Sequence, residues 1–369
     1  MRVAVIGFPN EIEIFNENIV KNSRGGATNL TIEFVVQAPG MSDFSNPLPN
    51  ARTIPLATAL QIYRENQIDA FALAFGKLQS VPKACDLIKN LKFRGIDRVL
   101  NFINYFGQLK LYWLDPQKSL IAYLETNLID ACNLNCKACT HFAALYSKDE
   151  IYPLDEFAHD VQTISESIDV QHFRLLGGEP LLLKNLDEYL DIARRFFPQT
   201  LLSVVSNGLL IPNAPQKIFE SMRRNSINID ISSYLPTMKI APKIVETLRN
   251  EGIYFSFTTP MEEFHKIISD GTKIYNPLKA REHCSNDVCR FLRRGKIYKC
   301  PIDALKYRFA EKFNLNYPPA ISVDIHAKNF TLMLDMLDGN VDQCHFCYDH
   351  ISEIPWETTS NPTAQDWIV

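Results

Sequence analysis

Ala131-Cys132-Asn133-Leu134-Asn135-Cys136-Lys137-Ala138-Cys139-Thr140 is the stretch on which the reading of this chain turns. Three cysteines at C-x3-C-x2-C follow directly on an apolar run, Leu124 to Ala131. A strand ending there would deliver three thiols to one short loop. Such a loop can aim three thiolates at a single metal centre, and it cannot supply a fourth. Structural zinc sites close with four ligands, so the triplet is at best half of one, at an unusual spacing. A centre that must keep one coordination position open has the opposite need, and three thiolates meet it.

The sequence around the loop alternates strand-like and helix-like segments. Ala122 to Asp130 leads into it, and Val170 to Leu176 is a strand pattern ending at Gly177-Gly178-Glu179-Pro180. Leu201 to Ser206 ends at Asn207-Gly208, and Ile227 to Ser232 and Ile253 to Phe257 follow. Between them Asp155 to Ile168, Leu186 to Phe197, Gln216 to Arg224 and Ile240 to Asn250 have helical period. Five or six β/α units over residues 119–270 fall short of the eight that close a full barrel. The expected fold is therefore α/β, with a partial (β/α)6 barrel whose candidate residues end its strands.

Residues 1–115 read as a separate α/β domain. Arg2 to Gly7, Thr31 to Gln37, Ile68 to Ala74 and Asp97 to Phe102 are strand patterns, with a helix over Val81 to Leu91, which suggests a parallel, Rossmann-like sheet. Neither Gly7-Phe8-Pro9 nor Gly25-Gly26 makes a Gly-x-Gly-x-x-Gly fingerprint, which argues for substrate presentation or assembly rather than dinucleotide binding. Cys85 reads as a core thiol, and residues 107–118 as a connector marked by Trp113, Asp115 and Pro116. Residues 271–369 lose the rhythm and carry five of the nine cysteines.

A net charge of −4 with mixed signs gives no basic footprint, so nucleic acid and anionic membranes are poor partners. No apolar run reaches the ~20 residues of a membrane helix. The N-terminal residues MRVAVIGFPNEIEIF do not resemble a secretory signal. Nine cysteines in C-x2-C and C-x3-C units point to metal binding in a reducing, cytoplasmic compartment.

Taken together, the cysteine loop, Gly177-Gly178-Glu179-Pro180 and Ser206-Asn207-Gly208 resemble the radical S-adenosylmethionine (radical SAM) superfamily. The resemblance implies a [4Fe-4S] cluster on Cys132, Cys136 and Cys139 whose open iron takes SAM, reductively cleaved to a 5′-deoxyadenosyl radical. It implies that Gly177 and Gly178 let the backbone come close to SAM, that Glu179 pairs with its ammonium, that Ser206 and Asn207 bond its carboxylate and ribose, and that Ser232 is a weaker ribose contact. One departure is Ala138, where the family often has an adenine-packing aromatic; His141 or Phe142 would have to cover that face.

Cys284, Gly295 and Cys300 fit the C-x(9–15)-G-x4-C signature of the SPASM and twitch extensions of that family, and Cys344-x2-Cys347 would complete four ligands. A shortened, twitch-like domain with one auxiliary [4Fe-4S] cluster is the expectation, and a zinc site would use the same four thiols. Cys289 is then left over: a hydrogen-atom donor to a substrate radical, a ligand in place of Cys284, or an inert thiol. The patch Arg290, Arg293 and Arg294 is either a solvated face or a seat for a substrate phosphate or carboxylate.

The motifs do not name the substrate. The segments CTHFAALY, RLLGGEPLL and SNGLL look like radical SAM proteins of polysaccharide and sugar modification. The leading expectation is a small-molecule sugar or sugar nucleotide, undergoing epimerisation, dehydrogenation or dehydration, with an electron donor such as flavodoxin or ferredoxin. Peptide maturation is the alternative, and a non-catalytic iron–sulfur or zinc module a remote one.

Overall fold

The computed structural model describes residues 1–23, 30–37, 45–75, 81–105, 108–148, 150–284 and 286–369; for 20–23, 81–85, 103–105 and 108–110 only the backbone is described. Gly25, Gly26 and Gly107 and the Cys85 side chain therefore lie outside the described residues. The chain divides into two compact units, Met1–Leu120 and Ile121–Val369. No helix among the described residues is long and apolar enough to cross a membrane.

The first unit holds β1 (Arg2–Gly7), α1 (Pro9–Ser23), β2 (Thr31–Gln37), β3 (Arg52–Pro55), α2 (Leu56–Arg64), β4 (Ala70–Ala74), α3 (Val81–Phe93), β5 (Val99–Tyr105) and β6 (Gln108–Trp113). Its sheet runs β3-β2-β1-β4-β5-β6, and every neighbouring pair is parallel except β5 with β6. All five residues of β4 are buried, as a strand covered on both faces requires. The segment expected to be a plain connector thus contains an antiparallel edge strand. Its pattern Gln-Leu-Lys-Leu-Tyr alternates with period two, a signal weaker than the turn residues after it.

The second unit contains β7 (Ser119–Ile129), α4 (Leu154–Ser167), β8 (Ile168–Gly177), α5 (Leu186–Phe196), β9 (Leu201–Ser206), α6 (Gln216–Arg224), β10 (Asn228–Ile231), α7 (Leu235–Lys239), α8 (Ala241–Asn250) and β11 (Phe255–Phe257). It continues through β12 (Glu263–His265), α9 (Pro277–Glu282), β13 (Arg290–Arg293), β14 (Lys296–Tyr298), α10 (Pro301–Phe313), β15 (Ser322–Asp324) and β16 (Glu353–Pro355). Its main sheet runs β11-β10-β9-β8-β7-β13-β14-β15. The fold is mixed α/β with parallel sheets.

Strand alternation gives the second sheet two unlike faces. Leu124, Leu128, Phe173, Leu175, Leu202, Val204, Ile229 and Ile231 form one core with the inner stripes of the helices. In α4 that stripe is Phe157, Val161 and Ile164, and in α5 Leu186, Tyr189, Leu190 and Ala193, at helical spacing. Truncating one of these aromatics, such as Phe173→Ala, is expected to destabilise by about 3–5 kcal/mol. The intervening positions Glu125, Asn127, His172, Ser203, Asn228 and Asp230 are also buried, yet polar. A sheet covered on both faces normally reads apolar throughout, so the polar face is where function was to be sought.

The tail is more regular than its composition suggested. β13 pairs with β7 in parallel, bringing Phe291 opposite Glu125, and β13–β14 is a hairpin. Its two turn residues, Arg294 and Gly295, have φ of 47° and 72°, as a type I′ turn demands. The Gly295 amide donates to Asp160 Oδ2 at 2.6 Å, anchoring the turn on α4. Helix α10 starts with Pro301 at its first position and is capped by the Cys300 sulfur, which accepts from the Asp303 amide at 3.5 Å. Cysteine is not among the usual capping residues, so the helix start was hidden.

Candidate cluster and cofactor site

Cys132, Cys136 and Cys139 share one small apolar pocket with Leu134, Leu209, Tyr234, Phe264 and Trp356. The loop reaches this shape by placing Asn135 and Ala138 at φ of 51° and 54°. For alanine that left-handed conformation costs roughly 1–2 kcal/mol. The loop is held there by the end of the chain: the Lys137 amide donates to Glu357 O at 2.9 Å, Ala138 to Asp366 O at 3.0 Å, and Thr359 to Asn135 O at 2.9 Å. Trp367 Nε1 donates to Cys139 O at 2.9 Å, and Lys137 pairs with Glu357 at 2.7 Å. Burial raises all three thiols, Cys132 to about 11.

The glycine pair has a definite steric reason. The Gly178 amide donates to Ile129 O at 2.8 Å and the Glu179 amide to Ala131 O at 3.0 Å. A Cβ on Gly178 would lie 2.1 Å from the Ala131 carbonyl oxygen, and one on Gly177 2.1 Å from that of Ile129. The missing side chains thus make room for the root of the cysteine loop itself, a nearer need than the approach of a ligand.

Glu179 is fully buried. Its Oε1 accepts from Ser206 Oγ at 2.8 Å and the Leu181 amide at 3.0 Å, and its Oε2 from the Asn207 amide at 2.8 Å. Burial outweighs these three donors and lifts the carboxyl to about 7. Among the described residues no cation pairs with it. Asn207 Nδ2 reaches Asn133 Oδ1 at 2.6 Å and Cys132 Sγ at 3.7 Å. The Ser232 amide donates to Ser206 O at 2.9 Å, and its side chain bonds Tyr234, which faces all three thiols. Residues from the ends of β8, β9 and β10 therefore meet at Cys132.

A three-thiolate cluster fits this set. It offers three sulfur donors in an apolar shell, with the buried Trp356 side chain directed at Cys136. A buried carboxylate without a cation fits an arriving ammonium. Among the described residues no three His, Cys, Asp or Glu side chains already stand in metal-holding geometry, so the thiols are neighbours and not a closed ligand set. Phe142 is committed elsewhere: it stacks on Phe309 at 5.2 Å, facing the tail core.

Cys289 belongs to the polar face. Its sulfur donates to Glu125 Oε1 at 2.8 Å, and burial and then Glu125 push the thiol well above its usual value. Around Glu125 stand Tyr123, whose hydroxyl donates at 3.3 Å, and Arg174, which bonds Tyr123 and lies 3.7 Å from Asp230. His141 Nδ1 donates to Asn127 Oδ1 at 2.9 Å, and Asn127 donates to Asp130 at 2.8 Å. Arg293 then grips Asp130 at 2.8 Å. This polar chain was missed in the sequence. The clue was there in Tyr123-x-Glu125-x-Asn127 and His172-x-Arg174, a period-two polar pattern inside otherwise apolar strands.

The remaining tail thiols form a second group. Cys300 interacts electrostatically with Cys347 and Cys284, Cys347 with Cys284 and Cys344, and Cys284 with Cys344. Burial raises Cys347 to about 12 and raises Cys284 as well. Cys289 also senses Cys300, but its hydrogen bond goes to Glu125. Asp303, buried beside Cys300, is paired with Lys306 at 2.6 Å.

Residues 126–294 match the model of the Radical SAM superfamily, so the chain carries a domain of that superfamily. Its curated relatives include "GTP 3′,8-cyclase" of Helicobacter pylori (strain HPAG1), 27% identical over 147 residues, 38% of this chain and 44% of that protein. The protein of the same name from Nostoc sp. (strain PCC 7120) is 31% identical over 115 residues, 30% of this chain and 35% of that one. The chain thus spans less than half the length of these relatives. Among solved structures, BtrN in complex with AdoMet and 2-DOIA is 14% identical and covers 64% of this chain and 100% of its own, at a TM-score of 0.38. Streptococcus suis SuiB bound to S-adenosylmethionine is 12% identical, covering 70% and 65%, at a TM-score of 0.28.

Proposed function

We propose that the chain is a radical SAM enzyme acting on a sugar or sugar nucleotide. The observation that carries this is the meeting of the three loop thiols with the uncompensated carboxylate of Glu179 beside Cys132. A [4Fe-4S] cluster on Cys132, Cys136 and Cys139, with SAM bound, supplies a 5′-deoxyadenosyl radical that takes hydrogen from substrate. The chain's own residues do the rest. Glu179 receives the ammonium, Ser206, Asn207 and Ser232 orient polar groups of SAM, and Gly177 and Gly178 let the loop sit against β8. Trp356, Trp367 and Tyr234 exclude water.

Anaerobic reconstitution with dithionite and SAM tests this. The wild type should form 5′-deoxyadenosine and Cys136→Ala none; a variant that still forms it would sink the assignment. Deuterium transfer into 5′-deoxyadenosine from labelled sugar nucleotides then identifies the substrate. The parallel α/β unit at residues 1–120 favours this substrate over peptides, whose modifying enzymes usually carry a small winged-helix leader-binding domain.

We further infer an auxiliary [4Fe-4S] cluster on Cys284, Cys300, Cys344 and Cys347, making 271–369 a twitch-like domain, with zinc as the alternative. Iron analysis separates them, at about eight irons per chain against about four. Cys289 serves as hydrogen-atom donor: its S–H bond breaks, a substrate C–H bond forms, and the thiyl radical regains an electron from a one-electron protein donor and a proton from solvent. Its burial beside Glu125 keeps it a protonated thiol, the form this step needs. Cys289→Ser should retain SAM cleavage and lose the product; unchanged turnover would end that role.

A further inference from the structure

A cleft of about 540 Å³ opens between the β13–β14 turn and α10, within the size range of small-molecule sites. Arg293, Arg294, Lys296 and Lys306 line it, against the single carboxylate of Asp303. Three of these cations are already held. Arg293 pairs with Asp130 at 2.8 Å, Arg294 with Glu156 at 2.7 Å, and Lys306 with Asp303 at 2.6 Å. Among the described residues Lys296 has no carboxylate partner and is exposed. Asp324 stands opposite Lys296 on β15 without an ion pair between them, so the cleft presents fixed donors plus one exposed cation outside any ion pair, which is what an incoming anion needs. Side chains fixed beforehand lose little further rotamer freedom on binding.

The rest of the lining narrows the anion. Tyr298 and Tyr307 add hydroxyls and aromatic faces, with Arg293 donating to the Tyr307 hydroxyl at 3.2 Å. A base can stack on such faces. The cleft also communicates with the chemistry. Arg293 stands on the polar face of β13, and its partner Asp130 lies two residues before Cys132.

We infer that this cleft holds the diphosphate end of a nucleoside diphosphate-bearing substrate, with Lys296 as its principal charge contact. This deepens the sugar reading and rests on it. The reacting part of such a molecule would lie toward Arg293 and the polar face of β7, where Glu125 and Cys289 stand. Arg294 is part of the same design. A type I′ turn favours Asn, Asp or Gly at its first position, and here a residue with a large cationic side chain occupies it at φ of 47°.

The test is calorimetric titration of the reconstituted full chain, without reductant, using UDP, GDP, CDP, dTDP, pyrophosphate and uridine as probes. At least one diphosphate nucleotide should bind, about tenfold or more tighter than its nucleoside and weaker at high salt. Lys296→Glu should weaken that binding about tenfold or more, and Lys296→Arg should restore it to within about threefold, which a folding defect would not do. No nucleotide binding at millimolar concentration, equal affinity for nucleoside and nucleotide, or an indifferent Lys296→Glu variant overturns the inference. So does pyrophosphate binding as tightly as every nucleotide. Because these titrations need no SAM cleavage, the two readings fail separately. Nucleotide binding without 5′-deoxyadenosine formation sinks the radical reading alone, and the reverse pattern sinks the cleft alone.

Discussion

The chain contains two groups of cysteine thiols, and their surroundings differ in kind. The loop group, Cys132, Cys136 and Cys139, lies in an apolar pocket under a strap made by the end of the chain. Beside it stands a buried carboxylate, Glu179, with three hydrogen-bond donors and, among the described residues, no cation. The tail group, Cys284, Cys300, Cys344 and Cys347, has four sulfurs, one of them exposed and one capping a helix. Its nearby buried carboxylate, Asp303, already has Lys306. One group has three thiols and a carboxylate with no cation beside it; the other has four thiols and a carboxylate already paired. Under the proposed function, that is the contrast between a centre that would admit a substrate-like ligand and one that would be closed.

The most severe test of this contrast removes one sulfur from each group. Cys136→Ala should lose the first cluster and all 5′-deoxyadenosine formation. Cys347→Ala should fall to about four irons per chain while retaining part of its SAM cleavage. Iron content and product assay on both variants decide the matter. If Cys347→Ala loses cleavage as completely as Cys136→Ala, the two groups do not differ in this way.

The strap gives the next test. Trp356 is buried against the loop thiols, and the backbone just after it pairs with the loop. Trp356→Ala is expected to destabilise by about 3–5 kcal/mol and to release the amides of Lys137 and Ala138, which bond Glu357 and Asp366. Hydrogen exchange reads this amide by amide. Undiminished protection at Lys137 and Ala138 would mean that the strap does not hold the loop.

The strap also shows where sequence reading stops. Cys132, Cys136 and Cys139 are close in sequence, and Glu179, Ser206 and Asn207 end strands that regular periodicity locates, so this part of the site was legible. The partners from far along the chain were not: Trp356 follows Cys136 by more than two hundred residues, within a segment lacking any period. The parallel pairing of β13 with β7, which brings Cys289 to Glu125, is likewise non-local. Helix α10 was hidden for a local reason, its cysteine cap. The polar face of the sheet was readable in principle from Tyr123-x-Glu125-x-Asn127, but a run of mixed polarity at a strand start is easily read as a strand end.

The smallest effect expected is also the most specific to the open site. In the unfolded chain Glu179 titrates near 4.5, and in the metal-free folded protein near 7. The folded state thus holds this proton more tightly, so the associated stability is fully present below about pH 4.5 and is lost as pH rises through about 7. At 1.36 kcal/mol per pH unit, the difference amounts to about 3 kcal/mol. Between pH 4.5 and 8 the metal-free wild type should therefore lose about 3 kcal/mol more stability than Glu179→Gln, which has no proton to release. Urea unfolding across that range measures it. An ammonium brought to the carboxylate would favour its charged form and reverse the sign, so SAM should bind with release of a proton near pH 7 to the wild type and not to Glu179→Gln. Equal pH dependence in the two proteins would leave Glu179 a satisfied structural residue, and would remove the strongest difference between the loop thiols and those of the tail.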